Sequence, residues 1–322
     1  MRLLLVKTSS LGDVIHNLPV VSDIRRALPQ AEIDWVVEES FVEIPRLHAA
    51  VSGVIPVAVR RWRQAPLSSQ TWREIMAYRR AVRRPEAAEL AAYDAVIDTQ
   101  GLIKSAWLTS LVRGKKYGFA APREGLAALA YDVAVEVPRD LHAVMRNRLL
   151  AAGALGYRLD DLPLDYGIAA PSWKAAWLPR GDYAALLTAT SRAAKEWPED
   201  DWRALGMALA SIGLRSVLPA GSSAERERAA RLANGIGRAI AAPAMNLTEL
   251  AGLLAGAKLV VGVDTGLVHL AAALGRPTVA IHCASDPKLT GVLGTAPHRN
   301  LGGPGQAPSA AAVVKAALEL AV

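Results

Sequence analysis

A polar turn of small residues, Asp264-Thr265-Gly266, interrupts an apolar part of the chain and could bind an anion. They follow residues 258–263, a β-branched run with the length of a buried strand, and they precede an Ala/Leu-rich helix. A helix N-terminus presents free N–H groups and a positive dipole end, so phosphate is the natural ligand for such a turn. His269, in the first helical turn, would face the same opening. The same residues also suit an N-cap and a packed histidine, and the motif alone leaves both roles open.

A second polar loop, Thr8-Ser9-Ser10-Leu11-Gly12-Asp13, follows the apolar run of residues 2–7. It contains hydroxyl groups, one glycine that permits a close approach, and the Asp13 carboxylate at the start of a predicted helix over 14–28. A carboxylate at the carboxyl end of a strand can act as a general base. It can equally cap the helix.

A third loop contains Thr190, Ser191 and Lys195 and lies between a predicted strand over 184–189 and a helix that begins at Glu199. Two hydroxyls and an ammonium group in front of a helix suit a diphosphate. A lysine in a loop is also commonly solvated, so this motif too has a structural alternative.

The elements that position these loops alternate between strand and helix along the whole chain, which predicts an α/β fold of two doubly wound, Rossmann-like domains facing a central cleft. Residues 157–172 contain two prolines and no clear period, so they are the predicted linker between an N-terminal domain, 1–160, and a C-terminal domain, 161–322. A terminal helix over 310–320 could pack back on the N-terminal domain. The predicted strands are 2–7, 33–38, 51–59, 95–98, 115–119, 184–189, 214–218, 258–263 and 278–282; further helices are 41–47, 71–82, 102–111, 141–152 and 247–255.

Composition excludes several classes of protein. The chain has 322 residues, 52% hydrophobic and 21% charged, which is globular, and no apolar run long enough to span a membrane. Cys283 is the only cysteine, so no intrachain disulfide can form and a reducing compartment is expected. The N-terminal residues lack a signal-peptide pattern. A cytoplasmic protein is therefore expected.

The net charge of +7 is unevenly distributed. Residues 1–160 contain 22 Lys and Arg against 17 Asp and Glu, whereas residues 161–322 contain 15 against 13. This excess indicates an anionic partner for the first half. No helix-turn-helix, zinc-finger or RNP signature is present, so nucleic acid is the weaker choice of partner.

Several motifs together resemble one family across essentially the whole chain: KTSSLGDVIHNLP, WVVEESFVEIPRLHAAVSGVIPVAVRRWR, YDAVIDTQGLIKSA, TSRAAKEWP and VDTGLVHLAAALGRP. These are similar to the lipopolysaccharide heptosyltransferases, ADP-heptose-dependent enzymes of glycosyltransferase family nine with the GT-B fold. KTSS-x-GD and RRWR resemble the type I enzymes more than type II. One departure is Thr190-Ser191, where the family commonly has two threonines, but a hydroxyl is retained.

The resemblance implies an inverting transfer of L-glycero-D-manno-heptose from ADP-heptose to Kdo of Kdo2-lipid A, without a metal or other cofactor. Asp13 would deprotonate the acceptor hydroxyl, Lys195 would offset charge on departing ADP, and Asp264 would orient the heptose hydroxyls. Glu225 would accept from the ribose hydroxyls, with Met245 near the adenine. The implied donor-binding residues are Ser10, Gly12, Thr190, Ser191, Lys195, Glu225, Met245, Asp264, Thr265, Gly266 and His269.

The same resemblance assigns the acceptor to cations of the N-terminal domain, on a protein peripheral to the cytoplasmic face of the inner membrane. The implied acceptor-binding residues are Arg60, Arg61, Arg63, Lys104, Arg123, His142 and Arg146. For any one of them, a solvated basic residue is the alternative.

Two other classes are disfavoured. A nucleotide-dependent dehydrogenase would need G-x-G-x-x-G after its first strand, but the first loop has a single glycine. A two-lobed binding protein would normally be exported, and the expected lack of a signal peptide argues against it. The closer alternative is another ADP-heptose-dependent enzyme of the same family with a different acceptor.

Overall fold

The computed structural model describes residues 1–83, 92–190 and 192–321, and the chain divides into two compact units, Met1–Gly167 and Ile168–Val322. This division falls inside the predicted linker, 157–172, a few residues beyond the predicted domain boundary at 160.

The first unit is a six-stranded parallel sheet with the strand order β3-β2-β1-β4-β5-β6. Two 3-10 helices, Glu39–Phe41 and Gly125–Ala130, complete it. Its strands are β1 Arg2–Val6, β2 Glu32–Glu38, β3 Gly53–Val57, β4 Tyr93–Asp98, β5 Gly114–Phe119 and β6 Val133–Val135; its helices are α1 Leu11–Ile15, α2 Leu18–Ala27, α3 Glu43–Arg46, α4 Val59–Gln64, α5 Ser69–Ala81, α6 Ile103–Ser110 and α7 Ala143–Leu155.

Two predictions for this unit are wrong in detail. The helix predicted over 14–28 is two helices, α1 and α2, because Pro19 has no N–H to continue α1 and instead lies in the first turn of α2. The strand predicted over 51–59 ends at Val57, which pairs with Glu38, the last residue of β2. Beyond that point residues 59–64 form α4, so the RRWR motif lies on a helix.

The second unit is also a six-stranded parallel sheet, in the order β12-β11-β10-β7-β8-β9. One 3-10 helix, Ala193–Lys195, lies in the loop after its first strand. Its strands are β7 Tyr183–Leu187, β8 Arg215–Leu218, β9 Ile240–Ala241, β10 Leu259–Val263, β11 Thr278–His282 and β12 His298–Gly302; its helices are α8 Glu199–Ser211, α9 Ser223–Gly235, α10 Leu247–Gly256, α11 Gly266–Ala273, α12 Pro287–Thr290 and α13 Ala310–Ala321.

The terminal helix, α13, belongs to the core of the second unit. It contacts α8 and strands β10, β11 and β12, and it buries Val313, Ala316 and Ala317. Its apolar face is thus used within its own unit, and the prediction that this helix could pack back on the N-terminal domain stays a prediction.

Central strands of both sheets are buried on both faces, which is why they are continuous apolar runs in the sequence. In β10, Gly262 lets α11 pack closely, since a Cβ there would lie 2.6 Å from Val268 and 2.7 Å from Leu187. In each unit the first strand lies between the second and the fourth strands of that unit. The sheet therefore grows first to one side of this strand and then to the other. The carboxyl ends of β1 and β4, and of β7 and β10, are therefore the expected ligand sites. The predicted doubly wound α/β architecture is confirmed.

Candidate functional site

Asp13 lies in the first turn of α1, directly after the loop that follows β1. Its Oδ2 accepts hydrogen bonds from the Ser10 backbone N–H and the Ser10 hydroxyl, both at 2.8 Å. The capping role left open by the sequence is thus present, with the half-buried Gly12 in the same turn. Both bonds end on Oδ2, and Oδ1 makes no hydrogen bond to the described residues. The carboxylate can therefore cap α1 and still accept a proton.

Gln100, at the carboxyl end of β4, holds the loop that carries Asp13. Its Oε1 accepts from the backbone N–H groups of Thr8 and Ser9 at 2.8 and 3.1 Å, and its Nε2 donates to the Ser9 carbonyl at 2.5 Å. Gln100 thus joins the loops after β1 and β4, the two central strands of this sheet. Gln100 was not predicted as a site residue, although it belongs to the YDAVIDTQGLIKSA motif.

Asp98 in turn anchors the loop of Gln100. Its buried carboxylate accepts from the backbone N–H groups of Gln100 and Gly101 and from the hydroxyls of Ser105 and Tyr131. Burial raises the pKa of Asp98, against the opposing effect of these four bonds. Gly101 has φ +66°, a left-handed conformation that favours glycine. This buried network fixes the backbone conformation of the loop that contains Gln100.

Two lysines lie near Asp13. Lys7 is buried and donates to the Thr99 carbonyl at 2.7 Å; burial lowers its pKa, while the charges of Asp13 and Asp98 act in the opposite direction. Lys104 donates to the Ser9 hydroxyl at 2.5 Å, and burial likewise lowers its pKa. Lys104 was predicted as a site residue. Lys7 was missed because it continues the first strand in the sequence.

The predicted acceptor cations fall into two groups in the first unit. The positive charges of Arg123 and Arg146 lower the pKa of Lys7, and those of Arg60 and Arg63 lower the pKa of Lys104. The Arg146 guanidinium lies 4.9 Å from the centre of the Phe119 ring, and burial lowers its pKa. Each pair of arginines therefore interacts electrostatically with one of the two lysines near Asp13.

His142 and Arg61 have structural partners of their own. His142 precedes α7, its Nδ1 accepts from the Val144 N–H at 3.2 Å, and its ring packs edge-on against that of His16, the residue that directly follows α1. Arg61 binds Glu39 and Glu74, each at 2.9 Å. The guanidinium of Arg61 is thus already held by two carboxylates, and its role in acceptor binding stays a prediction.

In the second unit, Asp264 is the centre of an ionic cluster after β10. Its Oδ2 lies 2.5 Å from Lys195 Nζ, and its Oδ1 lies 3.6 Å from His269 Nε2. Burial opposes ionisation, but hydrogen bonds from His269, Lys195 and Ser285 outweigh it and hold the pKa of Asp264 well below its usual range. The carboxylate of Asp264 is therefore ionised at neutral pH.

The N-terminus of α11 lies beside this cluster. Thr265 is the N-cap residue and Gly266 the first helical residue, but the Thr265 side chain makes no capping hydrogen bond. Asp264 pairs with the side chains of Lys195 and His269 rather than with backbone N–H groups of the helix. The simple capping interpretation of this motif is therefore not what the structure contains.

Arg228 of α9 holds the ends of the loop that contains Lys195. It donates to the carbonyls of Thr188 and Trp197 at 3.2 and 3.0 Å and lies 3.3 Å from Glu196. Thr190 in this loop is half-buried, and Ser191 lies outside the described residues. Nothing in the sequence of α9 distinguished Arg228 from the other charged residues of this helix.

Glu225 and Met245 lie in two further loops of the second unit. Glu225 Oε2 accepts from the backbone N–H groups of Gly221 and Ser222 at 3.0 and 2.9 Å, so it caps α9. Oε1 makes no hydrogen bond to the described residues. Met245 is half-buried in the loop before α10.

Each unit thus has one cluster of polar side chains where its central strands end. The first unit has a carboxylate with cations near it, and the second has a lysine beside a helix N-terminus. Within the described parts of the chain, no group of three or more His, Cys, Asp or Glu side chains could hold a metal ion. Nor is any described helix both long and apolar enough to cross a bilayer.

Comparison with known proteins identifies this arrangement. The family model described as glycosyltransferase family 9 (heptosyltransferase) matches residues 83–312. Lipopolysaccharide heptosyltransferase 1 of Escherichia coli (strain K12) is 47% identical over 310 residues, covering 94% of this chain and 95% of that protein. The structure of E. coli heptosyltransferase WaaC with ADP aligns with a TM-score of 0.89 at 44% identity, covering 99% of this chain and 100% of that one.

A second E. coli WaaC structure, with ADP-2-deoxy-2-fluoro heptose, aligns with a TM-score of 0.85 at 43% identity and covers 99% of both chains. The likeness to these structures confirms the predicted GT-B architecture. The chain belongs to glycosyltransferase family 9, the heptosyltransferases, and is a glycosyltransferase.

Proposed function

We propose that this enzyme transfers L-glycero-D-manno-heptose from ADP-heptose to Kdo of Kdo2-lipid A, in the assembly of the lipopolysaccharide inner core. One observation carries the proposal: the central strands of one unit end beside a carboxylate with an available oxygen, Asp13, and those of the other end beside Lys195 and the N-terminus of α11. In the proposed reaction, Asp13 would be the base, and Lys195 with this helix N-terminus would hold the leaving group. The names of the relatives support the donor and the pathway.

The second unit would bind the donor. The diphosphate would take the uncapped N–H groups of α11 and the ammonium group of Lys195, with Thr190, Ser191, Thr265, Gly266 and His269 around it. Lys195 now contacts Asp264, so a phosphate would share or replace that contact and leave Asp264 oxygens for the heptose hydroxyls. Glu225 Oε1 would accept from the ribose hydroxyls, and Met245 would lie near the adenine.

The first unit would bind the acceptor and start the displacement. Asp13 Oδ1 takes the proton of the acceptor hydroxyl as its oxygen attacks the anomeric carbon of heptose. The new C–O bond forms as the bond to the diphosphate breaks, ADP leaves with the electron pair, and the configuration inverts. Lys195 offsets the charge that develops on ADP. Ser10 and Gly12 would line the donor side of this loop.

Cations of the first unit would bind the carboxylates and phosphates of the acceptor. Arg123 and Arg146 would act with Lys7, and Arg60 and Arg63 with Lys104, since each pair interacts electrostatically with that lysine. His142, which packs against His16, would join them. Such an acceptor is anchored in a bilayer, so the enzyme would be peripheral to the cytoplasmic face of the inner membrane. No metal is needed in this mechanism.

Transfer of radiolabelled heptose from ADP-heptose tests the proposal directly. Kdo2-lipid A is the expected acceptor, and lipid A without Kdo should accept no label. The competing hypothesis is a heptosyltransferase of the same family with a different acceptor. Label that passes to a heptosylated core but not to Kdo2-lipid A would favour that hypothesis and refute ours.

The ribose contact predicts a binding defect for Glu225→Gln. Glutamine keeps an oxygen to cap α9 but replaces the other oxygen with an NH₂ group, which cannot accept from ribose. We expect the KM for ADP-heptose to rise by roughly fivefold or more with little change in kcat, because this contact holds ground and transition states alike. Initial-rate kinetics and the melting temperature measure both effects.

Glu249→Gln is the matched control, since Glu249 caps α10 through the same motif, accepting from the Asn246 N–H at 2.8 Å. It should change neither KM nor melting temperature. If Glu225→Gln binds ADP-heptose normally, Glu225 is only a helix cap.

The acceptor cations predict different outcomes for neighbouring arginines. With a deacylated, water-soluble acceptor, Arg60→Ala/Arg63→Ala should raise the acceptor KM roughly tenfold or more, because charged hydrogen bonds are lost, while the ADP-heptose KM stays unchanged. Arg61→Ala should mainly lower the melting temperature, since it releases Glu39 and Glu74. Arg215→Ala, an exposed arginine of the second unit, should do neither. Equal loss for donor and acceptor would mean that Arg60 and Arg63 are structural.

A further inference from the structure

The first unit contains a cavity of about 720 Å³ that we call the apolar groove. Helices α4 and α5 line one side of it, and α6 with the residue before it lines the other. Most of the lining is apolar, and Arg63, Lys104 and Glu124 are its charged residues. A cavity of this size falls within the range of small-molecule sites. The apolar lining residues are Val59, Trp62, Pro66, Ile75, Leu102, Ile103 and Trp107.

Large apolar side chains are also exposed beside this groove. Of the eleven such side chains that are exposed among the described residues, seven lie on the segments that form or adjoin it, and we call these seven the apolar rim. An exposed apolar patch of this kind marks a binding surface for protein or membrane. The apolar rim consists of Leu67, Trp72, Met76, Ile103, Trp107, Leu126 and Leu129.

The segments that form the groove and the rim carry the excess of positive charge in this chain. Residues 58–83 and 102–130 contain 12 Lys and Arg against 2 Asp and Glu, whereas the whole chain has a net charge of +7. The remainder of the chain is therefore net negative. The cores of protein interfaces are depleted in charge, but basic residues mixed with Trp and Leu are typical of a surface that binds anionic membranes.

The apolar groove is also connected to Asp13. Lys104 lines the groove, and its ammonium group donates to the Ser9 hydroxyl at 2.5 Å in the loop that leads to Asp13. A surface that docks at the groove would consequently lie beside the proposed base. A lipid-anchored acceptor held in that surface would present its sugars to Asp13.

We infer that the apolar rim is the membrane-docking surface of this enzyme: Trp72, Leu126 and Leu129 enter the interfacial region of an anionic bilayer, and the surrounding cations bind the lipid headgroups. The inference rests on the proposed function only in taking the acceptor to be a lipid. Docking restricts the search for that acceptor to two dimensions and orients the loop of Asp13 toward the membrane.

Vesicle binding tests this surface without donor or acceptor. The probe is flotation with vesicles of phosphatidylethanolamine and phosphatidylglycerol, compared with vesicles of phosphatidylcholine alone. Wild type should bind the anionic vesicles, and less tightly as salt is added. Leu126→Ser/Leu129→Ser and, separately, Trp72→Ser should each weaken this binding by about tenfold or more, because apolar area is no longer buried.

Met207→Ser/Ile212→Ser is the matched control, since these side chains of the second unit are similarly exposed at 58% and 53%. It should bind vesicles as wild type does. Unchanged vesicle affinity in the rim variants would overturn the inference, as would equal binding of wild type to neutral vesicles. Sedimentation equilibrium supplies another arm: if the rim variants lose only a self-association of wild type, the rim is an interface between two copies and the inference fails.

Transfer to a deacylated, water-soluble acceptor separates this inference from the proposed function. The rim variants should retain wild-type turnover there and lose rate only with acceptor embedded in vesicles. An enzyme that docks through the rim but transfers no heptose would refute the proposed function and leave the inference standing. If the enzyme transfers heptose fully but the rim variants bind vesicles as wild type does, the inference is refuted and the proposed function stands.

Discussion

Asp13→Asn should lower kcat by about two to four orders of magnitude, the usual contribution of a general base. The asparagine oxygen can still accept from the Ser10 N–H and hydroxyl, so α1 stays capped. The side chain can no longer take a proton from the acceptor. We therefore expect an unchanged melting temperature and an unchanged affinity for ADP-heptose, measured by calorimetry, together with the loss of turnover.

Two further variants separate the two roles of this carboxylate. Asp13→Ala should lose the same turnover and also about 1 kcal/mol of stability, because the cap is removed. Asp132→Asn is the matched control: Asp132 accepts the Lys116 N–H at 2.8 Å in the same unit, at the edge of the sheet. It should leave turnover unchanged. Near-normal turnover in Asp13→Asn would reduce Asp13 to a helix cap.

Lys195→Ala should lower kcat/KM by roughly two to three orders of magnitude, the scale seen when a preorganised group that stabilises developing negative charge is removed. ADP affinity should fall as well. The variant also leaves Asp264 buried without its ammonium partner; burial then acts with less opposition, so the pKa of Asp264 rises and the melting temperature falls. Kinetics, calorimetry with ADP and thermal unfolding measure these effects.

A double variant distinguishes lost chemistry from lost stability. Lys195→Ala/Asp264→Asn removes the unpaired charge, so stability should recover while activity stays low. Lys195→Arg should restore little, because a planar guanidinium does not replace a compact ammonium group. Lys258→Ala is the control, since Lys258 pairs with Asp182 at the surface, at 3.7 Å. Normal ADP affinity and turnover in Lys195→Ala would remove Lys195 from the site.

The sequence alone determined where the polar loops lie. Central strands such as β1 and β10 are buried on both faces, so they are apolar runs, and each ends where polar residues begin. This local signal placed Asp13 and Asp264 at helix N-termini. It failed for the short strands β6, β9 and β12, which have two to five residues and owe their structure to the neighbouring strand rather than to their own composition.

Only the tertiary structure decided which loops meet and what each polar side chain does there. Strand order brings Gln100 to the loop of Thr8 across 92 residues of sequence, and Lys195 to Asp264 across 69. It shows that Asp13 caps a helix through one oxygen and keeps the other available, whereas Asp264 pairs with Lys195 and His269. The physical reason is that a motif specifies which bonds a side chain can form, while the fold selects the partners that come within reach.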